Sequence, residues 1–284
     1  MRTTTFLGEK FSRLIVGDNP FNGYSYIEGD LSPDEMVSYY TEDHVIETWK
    51  KAESLGFTGM LPLADPFIIR CLRHYYEQGG TMKAIFQSFG PMTLEAQLPI
   101  ALKVKPFGMY LQGGVTDPLF EQGKYDQIEV ELKKIRDAGI RVGLGSHIPE
   151  AIEMAEERNW DVDFYVTCLQ NARNIRPTRE GSFMEGTTEK DSNLYFFPED
   201  RPKMLNVIHN ASKPCVAFKL FAGGQIFHGK TEEEIPTVLE NVYKEVFSML
   251  KPCDFGAIGI FQGRKDQLSQ SNEAFERAYQ SLKL

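Results

Sequence analysis

Short apolar runs alternate with longer amphipathic ones along the whole chain. RLIVG (Arg13 to Gly17) reads as a buried strand, and DHVIETWKKAESLG puts Val45, Ile46, Trp49 and Ala52 at helical spacing, with Gly56 as the stop. FTGMLPL (57–63) is the next strand, and PFIIRCLRHYYEQGG the next helix, closed by Gly79 and Gly80. MKAIFQSF is a third strand, and the helix within TLEAQLPIALKV should bend or end near Pro99. PFGMYLQGG with YDQIEVELKKIRDAG makes a fourth pair. The run Ile140, Val142, Leu144, followed by PEAIEMAEERNW, makes a fifth. VDFYVTCLQN, CVAFKLFAGG and FGAIGIFQG are strands six to eight, the last two leading into TEEEIPTVLENVYKEVFSML and DQLSQSNEAFERAYQSL.

Eight β-then-α units in 284 residues predict one α/β domain spanning 1–284, a closed (β/α)8 TIM barrel. The open doubly wound alternative is weakened because VGDNPFNG, after the first strand, lacks the G-x-G-x-x-G spacing. Two segments break the rhythm, at about 18–41 and 171–198, and both follow strand carboxyl ends, where barrel enzymes keep their binding loops. The second carries Arg173, Arg176 and Arg179, either an anion clamp or solvated loop charges.

Composition narrows the partners. A formal charge of -9 argues against nucleic acid or an anionic membrane and leaves a small molecule as the expected partner; nothing in the pattern fixes an oligomeric state. Cys71, Cys168, Cys215 and Cys253 are far apart and lack zinc spacing, which suits a reduced chain. The amino terminus lacks an apolar leader core and no run is long enough to cross a bilayer, so a cytoplasmic protein is expected.

In a barrel, polar residues just past the strands share one cavity. Asn19, Asp65, Gln87, Gln112, Gln170 and Gln262 are the expected substrate-binding set, mostly neutral hydrogen-bonding groups. His147, Asp18 and Lys219 are the catalytic candidates. His147 alone of the five histidines follows a strand end; it is a general acid or base, or a turn residue capping the next helix, and no carboxylate placed to orient it is evident nearby in sequence. Asp18 is an acid, a base or a bend residue, and Asp65 doubles as a helix N-cap before Pro66. Lys219, read as buried in the seventh strand, is a Schiff-base amine, an anion holder or one half of an ion pair. Cys168 is a small core residue or a nucleophile. A metal held by Asp18, Asp65, His147 and Cys168 lacks any recognised ligand spacing, and none is expected.

Several stretches together resemble the aldo-keto reductase superfamily of NADP-linked barrels: FSRLIVGDNPFNG, AGIRVGLGSHIPEAIEMAEERNWDVDFYVTCLQN, AFKLFAGGQI and GIFQGRKDQLSQSNEAF. The resemblance implies NADP as cofactor. It places Ser146 and Asn171 at the nicotinamide amide and Gly223 in the Gly-rich end of the seventh strand. Arg264 and Lys265 fall beside the adenosine phosphate, and Gln267 and Asn272 on the adenine side. It implies an oxidoreductase acting on a small carbonyl or alcohol. The chain departs from the family's catalytic tetrad: Leu61 or Pro62 stands where an aspartate belongs, with no tyrosine in place after it. Gln87 stands for the lysine and Gln112 for the histidine. An altered acid/base set follows, with His147 as the replacement acid. A lyase, isomerase or hydrolase using His147, Lys219 or a metal is the other enzyme class open to such a barrel, and a non-catalytic binding protein the third reading.

Overall fold

The computed structural model describes residues 1–24, 31–170 and 200–282. It begins with a hairpin that the apolar pattern does not announce. β1 (Thr3–Phe6) pairs antiparallel with β2 (Glu9–Ser12), and Leu7 and Gly8 turn the chain with left-handed φ of 48° and 84°. Two left-handed residues give the turn whose twist matches a two-residue hairpin. Only Phe6 and Phe11 make the hairpin hydrophobic. Their rings enter the amino end of the barrel, where Phe6 lies 4.6 Å from Phe255 and Phe11 lies 4.8 Å from Phe107.

The barrel strands are β3 (Leu14–Gly17), β4 (Gly59–Leu61), β5 (Lys83–Gln87), β6 (Gly108–Leu111), β7 (Arg141–Ser146), β8 (Phe164–Cys168), β9 (Cys215–Phe218) and β10 (Phe255–Gly259). All pair parallel in chain order, and β10 returns to β3 from Gly256↔Leu14 to Gly259↔Gly17, closing the ring. The expected eight-stranded barrel is therefore the fold. Both faces of each strand are covered, which is why the strands read as unbroken apolar runs. In β8, Phe164 and Val166 fill the barrel interior while Tyr165 faces the helices. In β7, an added Cβ would come within 2.4 Å of the Phe164 ring at Gly143 and 2.7 Å of the Tyr110 ring at Gly145. The two glycines thus make room for aromatic rings inside the barrel.

The outer layer holds α2 (Glu42–Ser54), α3 (Pro66–Glu77), α4 (Leu94–Ala101), α6 (Tyr125–Asp137), α7 (Pro149–Glu157), α8 (Asp200–Asn210), α9 (Ile235–Met249) and α10 (Gln267–Ser281). Pro99 sits inside α4, which tightens into a 3-10 turn (Leu102–Val104) soon after. Two helices were not expected. α1 (Pro33–Tyr39) and a 3-10 turn (Asn19–Asn22) occupy the segment read as a loop at 18–41, and α5 (Gly113–Glu121) follows β6 directly. The expected loop at 171–198, with Arg173, Arg176, Arg179 and Asn171, lies outside the described residues. Among the described residues no helix is long and apolar enough to cross a membrane.

Candidate active site at the carboxyl rim

Strand register brings three side chains into a row at the rim. Val166 points into the barrel, so Cys168, two residues on, does too. Ser146 is level with Thr167, so the next step sets His147 beside Cys168; Cys168 is in turn level with Phe218. The Phe218 ring meets the imidazole edge-on, with centroids 5.6 Å apart. Across β5 and β6, the Tyr110 hydroxyl donates to Gln87 Oε1 at 2.6 Å, and Gln87 Nε2 donates to Gln112 Oε1 at 3.2 Å.

The residue that completes the row was not singled out from the sequence. Asp117, one turn into α5, is buried, and its Oδ2 lies 2.7 Å from His147 Nδ1. The Ser146 hydroxyl donates to Asp117 Oδ1 at 2.6 Å, and the His147 amide donates to the same carboxylate at 3.3 Å. A Cβ at Gly113 would lie 2.5 Å from His147 Nδ1, so a residue without a side chain is what lets α5 start against the ring. Cys168 stands beside the same imidazole across the β7–β8 register. Burial by itself lowers the pKa of His147; its neighbours Cys168 and Asp117 oppose it and win, raising it to about 9. The shift favours the protonated ring. Among the described residues no three His, Cys, Asp or Glu side chains converge as metal ligands would.

Ser146 is wholly buried; its hydroxyl serves Asp117 and accepts from the Ile148 amide at 2.9 Å, so it supports the dyad rather than facing the cavity. Asp18, across the ring from His147, accepts from the Leu63 amide at 2.5 Å and from Asn22 Nδ2 at 3.3 Å. Burial raises its pKa to about 7 against the Leu63 hydrogen bond, with Asp65 adding to the rise. Asp65 is the N-cap of α3: Oδ1 accepts from the Phe67 and Ile68 amides at 2.8 and 3.0 Å, while Oδ2 is buried without a partner. Asn19 is half-buried in its 3-10 turn. Lys219 departs from expectation. It lies one residue beyond β9, half-buried, with a left-handed φ of 56°, and not inside the barrel core. Gln170 is buried, and its Oε1 has no partner.

The expected coenzyme segment is arranged differently from what phosphate binding needs. Arg264 Nε lies 2.6 Å from Glu35, and Lys265 Nζ lies 2.6 Å from Glu232. The amino end of α10 is capped by Asp266, which accepts from the Ser269 amide at 3.1 Å and pairs with Lys51 at 2.6 Å. Burial pushes the Asp266 pKa up, but Lys51 and Ser269 more than reverse this and hold it well below the usual carboxylate range. A carboxylate already occupies the place where a helix amino terminus would take an anion. Gln262 caps the same helix: Oε1 accepts from the Leu268 amide at 3.1 Å and Nε2 donates to Asp266. Gln267 accepts from the Phe261 amide at 2.9 Å. Gly223 turns the chain with φ 60°, and Asn272 Oδ1 is buried without a partner. Each basic group there is matched by an acid, Arg264 by Glu35 and Lys265 by Glu232.

No family model matches the chain, and no curated protein matches it. Solved barrels do match. An aldo-keto reductase from Bacillus halodurans in its holo form is 11% identical at TM-score 0.56, with 99% of this chain and 95% of that one covered. An aldo-keto reductase from Klebsiella pneumoniae in complex with NADPH is 10% identical at TM-score 0.55, covering 97% and 90%. Dihydropteroate synthase from Yersinia pestis is 8% identical at TM-score 0.54, covering 99% of both chains. The fold is thus one that aldo-keto reductases share with other barrel enzymes.

Proposed function

We propose that this protein is a barrel enzyme that moves a proton at a small carbonyl or alcohol substrate, with His147 as acid/base and Asp117 orienting its ring. The observation that carries this reading is the buried 2.7 Å bond between His147 Nδ1 and Asp117 Oδ2 at the barrel mouth. It fixes the ring through Nδ1, so proton transfer to substrate runs through Nε2. The amides of Gln87 and Gln112, each able to donate and accept, suit a hydroxyl-bearing substrate.

The test is deuterium incorporation from D2O next to the carbonyl of small hydroxyaldehydes and hydroxyketones, followed by NMR. His147→Gln should lower the rate by about 10²–10⁴, and Asp117→Asn by at least about tenfold. Exchange at the wild-type rate in His147→Gln overturns the assignment.

Reduction with NADP(H) is the second reading, supported by the position of Arg264 and Lys265 just before α10 and by the partnerless Asn272 Oδ1. The ion pairs with Glu35 and Glu232 weigh against it. NADPH fluorescence and thermal shift decide: no response at millimolar coenzyme removes this reading and leaves the proton-transfer one intact.

A further inference from the structure

We infer that Cys168 is a nucleophile that adds reversibly to the carbonyl carbon of a small hydroxyaldehyde, with His147 protonating the resulting oxyanion. This rests on the reading of His147 as the acid/base of the site. Its basis is the buried row Asp117, His147, Cys168, in which Asp117 bonds the imidazole and the register of β7 on β8 sets Cys168 beside it. A thiol beside an imidazole that is itself bonded to a carboxylate passes its proton to the ring as it attacks, because the carboxylate stabilises the imidazolium formed. Cys71 and Cys215 are equally buried but have no imidazole partner among the described residues; burial pushes the Cys71 thiol up to about 12, and Cys215 higher still.

In the step, the Sγ lone pair forms the S–C bond while the carbonyl π pair moves onto oxygen. With Nδ1 held by Asp117, His147 delivers its Nε2 proton to that oxygen. The products are a neutral thiohemiacetal and a neutral imidazole, and reversal returns the thiol and the aldehyde; the step needs no oxidant and no leaving group. The rim favours an aldehyde that carries hydroxyls. Gln170 Oε1, two residues from Cys168, is a buried acceptor lacking a donor, and the amides of Gln87 and Gln112 lie beyond it across the mouth.

Wild-type protein treated with iodoacetamide, with each cysteine quantified by mass spectrometry, tests this. Cys71 and Cys215 control for burial. Cys168 should react at least about tenfold faster than either, with saturable protection by millimolar glycolaldehyde and none by ethylene glycol. In His147→Gln, checked for an unchanged fold by circular dichroism, its rate should fall to that of Cys71. Reaction no faster than Cys71, or fast reaction without aldehyde protection, overturns the inference. Deuterium exchange that depends on His147 while Cys168 stays inert would leave the proton-transfer reading standing and sink this one alone.

Discussion

A buried imidazole held by a carboxylate at 2.7 Å makes folding depend on pH, and the sign is fixed by the direction of the shift. The pKa of His147 rises from 6.5 to about 9, so its contribution is complete below about pH 6.5 and is lost as pH climbs through 9. At 1.36 kcal/mol per unit this amounts to about 3 kcal/mol at most. Asp18, raised from 3.8 to about 7, acts in the same sense in a lower window: its contribution is complete below about pH 4 and lost as pH rises through 7. Urea melts across pH 4–10 should show stability lost in both windows. His147→Gln should flatten the upper limb and Asp18→Asn the lower; a variant with the wild-type slope in its own window contradicts the assignment. At this scale the place of His147 was legible, because a histidine directly after a strand in a βα repeat falls at the carboxyl rim. Asp117 was not. It is 30 positions from its partner, in TDP, which reads locally as a turn.

α5 is the element on which the site depends, and Gly113 is the residue on which α5 depends. A methyl group there would lie 2.5 Å from His147 Nδ1, so Gly113→Ala must push back either the ring or the helix. We expect a loss of about 1–3 kcal/mol in stability and a fall of about a hundredfold in His147-dependent exchange. Gly114→Ala is the control. A Cβ there meets only Gln112, at 3.7 Å, and both stability and exchange should stay near wild type. If the two alanine variants behave alike, the contact is not what positions the ring. The sequence pattern passed over α5 because Gly-Gly and Pro118 both read as breakers, yet Val115, Leu119 and Phe120 pack on the core at helical spacing. The long amphipathic helices were plain because twelve or more residues repeat one face.

For the molecule as a whole, the hairpin β1–β2 closes the amino end, opposite the rim that holds His147. Phe6 is completely buried among Phe11, Phe107, Phe164 and Phe255. Phe6→Ala should cost about 3–5 kcal/mol and lower Tm by roughly 10 °C. Exchange at 25 °C should be unchanged, since the plug and the rim are at opposite ends of the strands. A large loss of exchange without a loss of Tm would mean that the two ends are coupled.

The ring of eight strands was settled by the chain alone. A strand covered on both faces must be continuously apolar, a helix with one buried face must repeat near 3.6, and both signals survive in any window of the sequence. The row of Asp117, His147 and Cys168 was settled only by tertiary structure. It needs β7, β8 and β9 in one register and a helix starting against an imidazole, and no local window records which distant carboxylate will face which ring. The same holds at α10, where the basic residues are visible in sequence but Glu35, Glu232 and Asp266, which neutralise them, come together only in the folded chain.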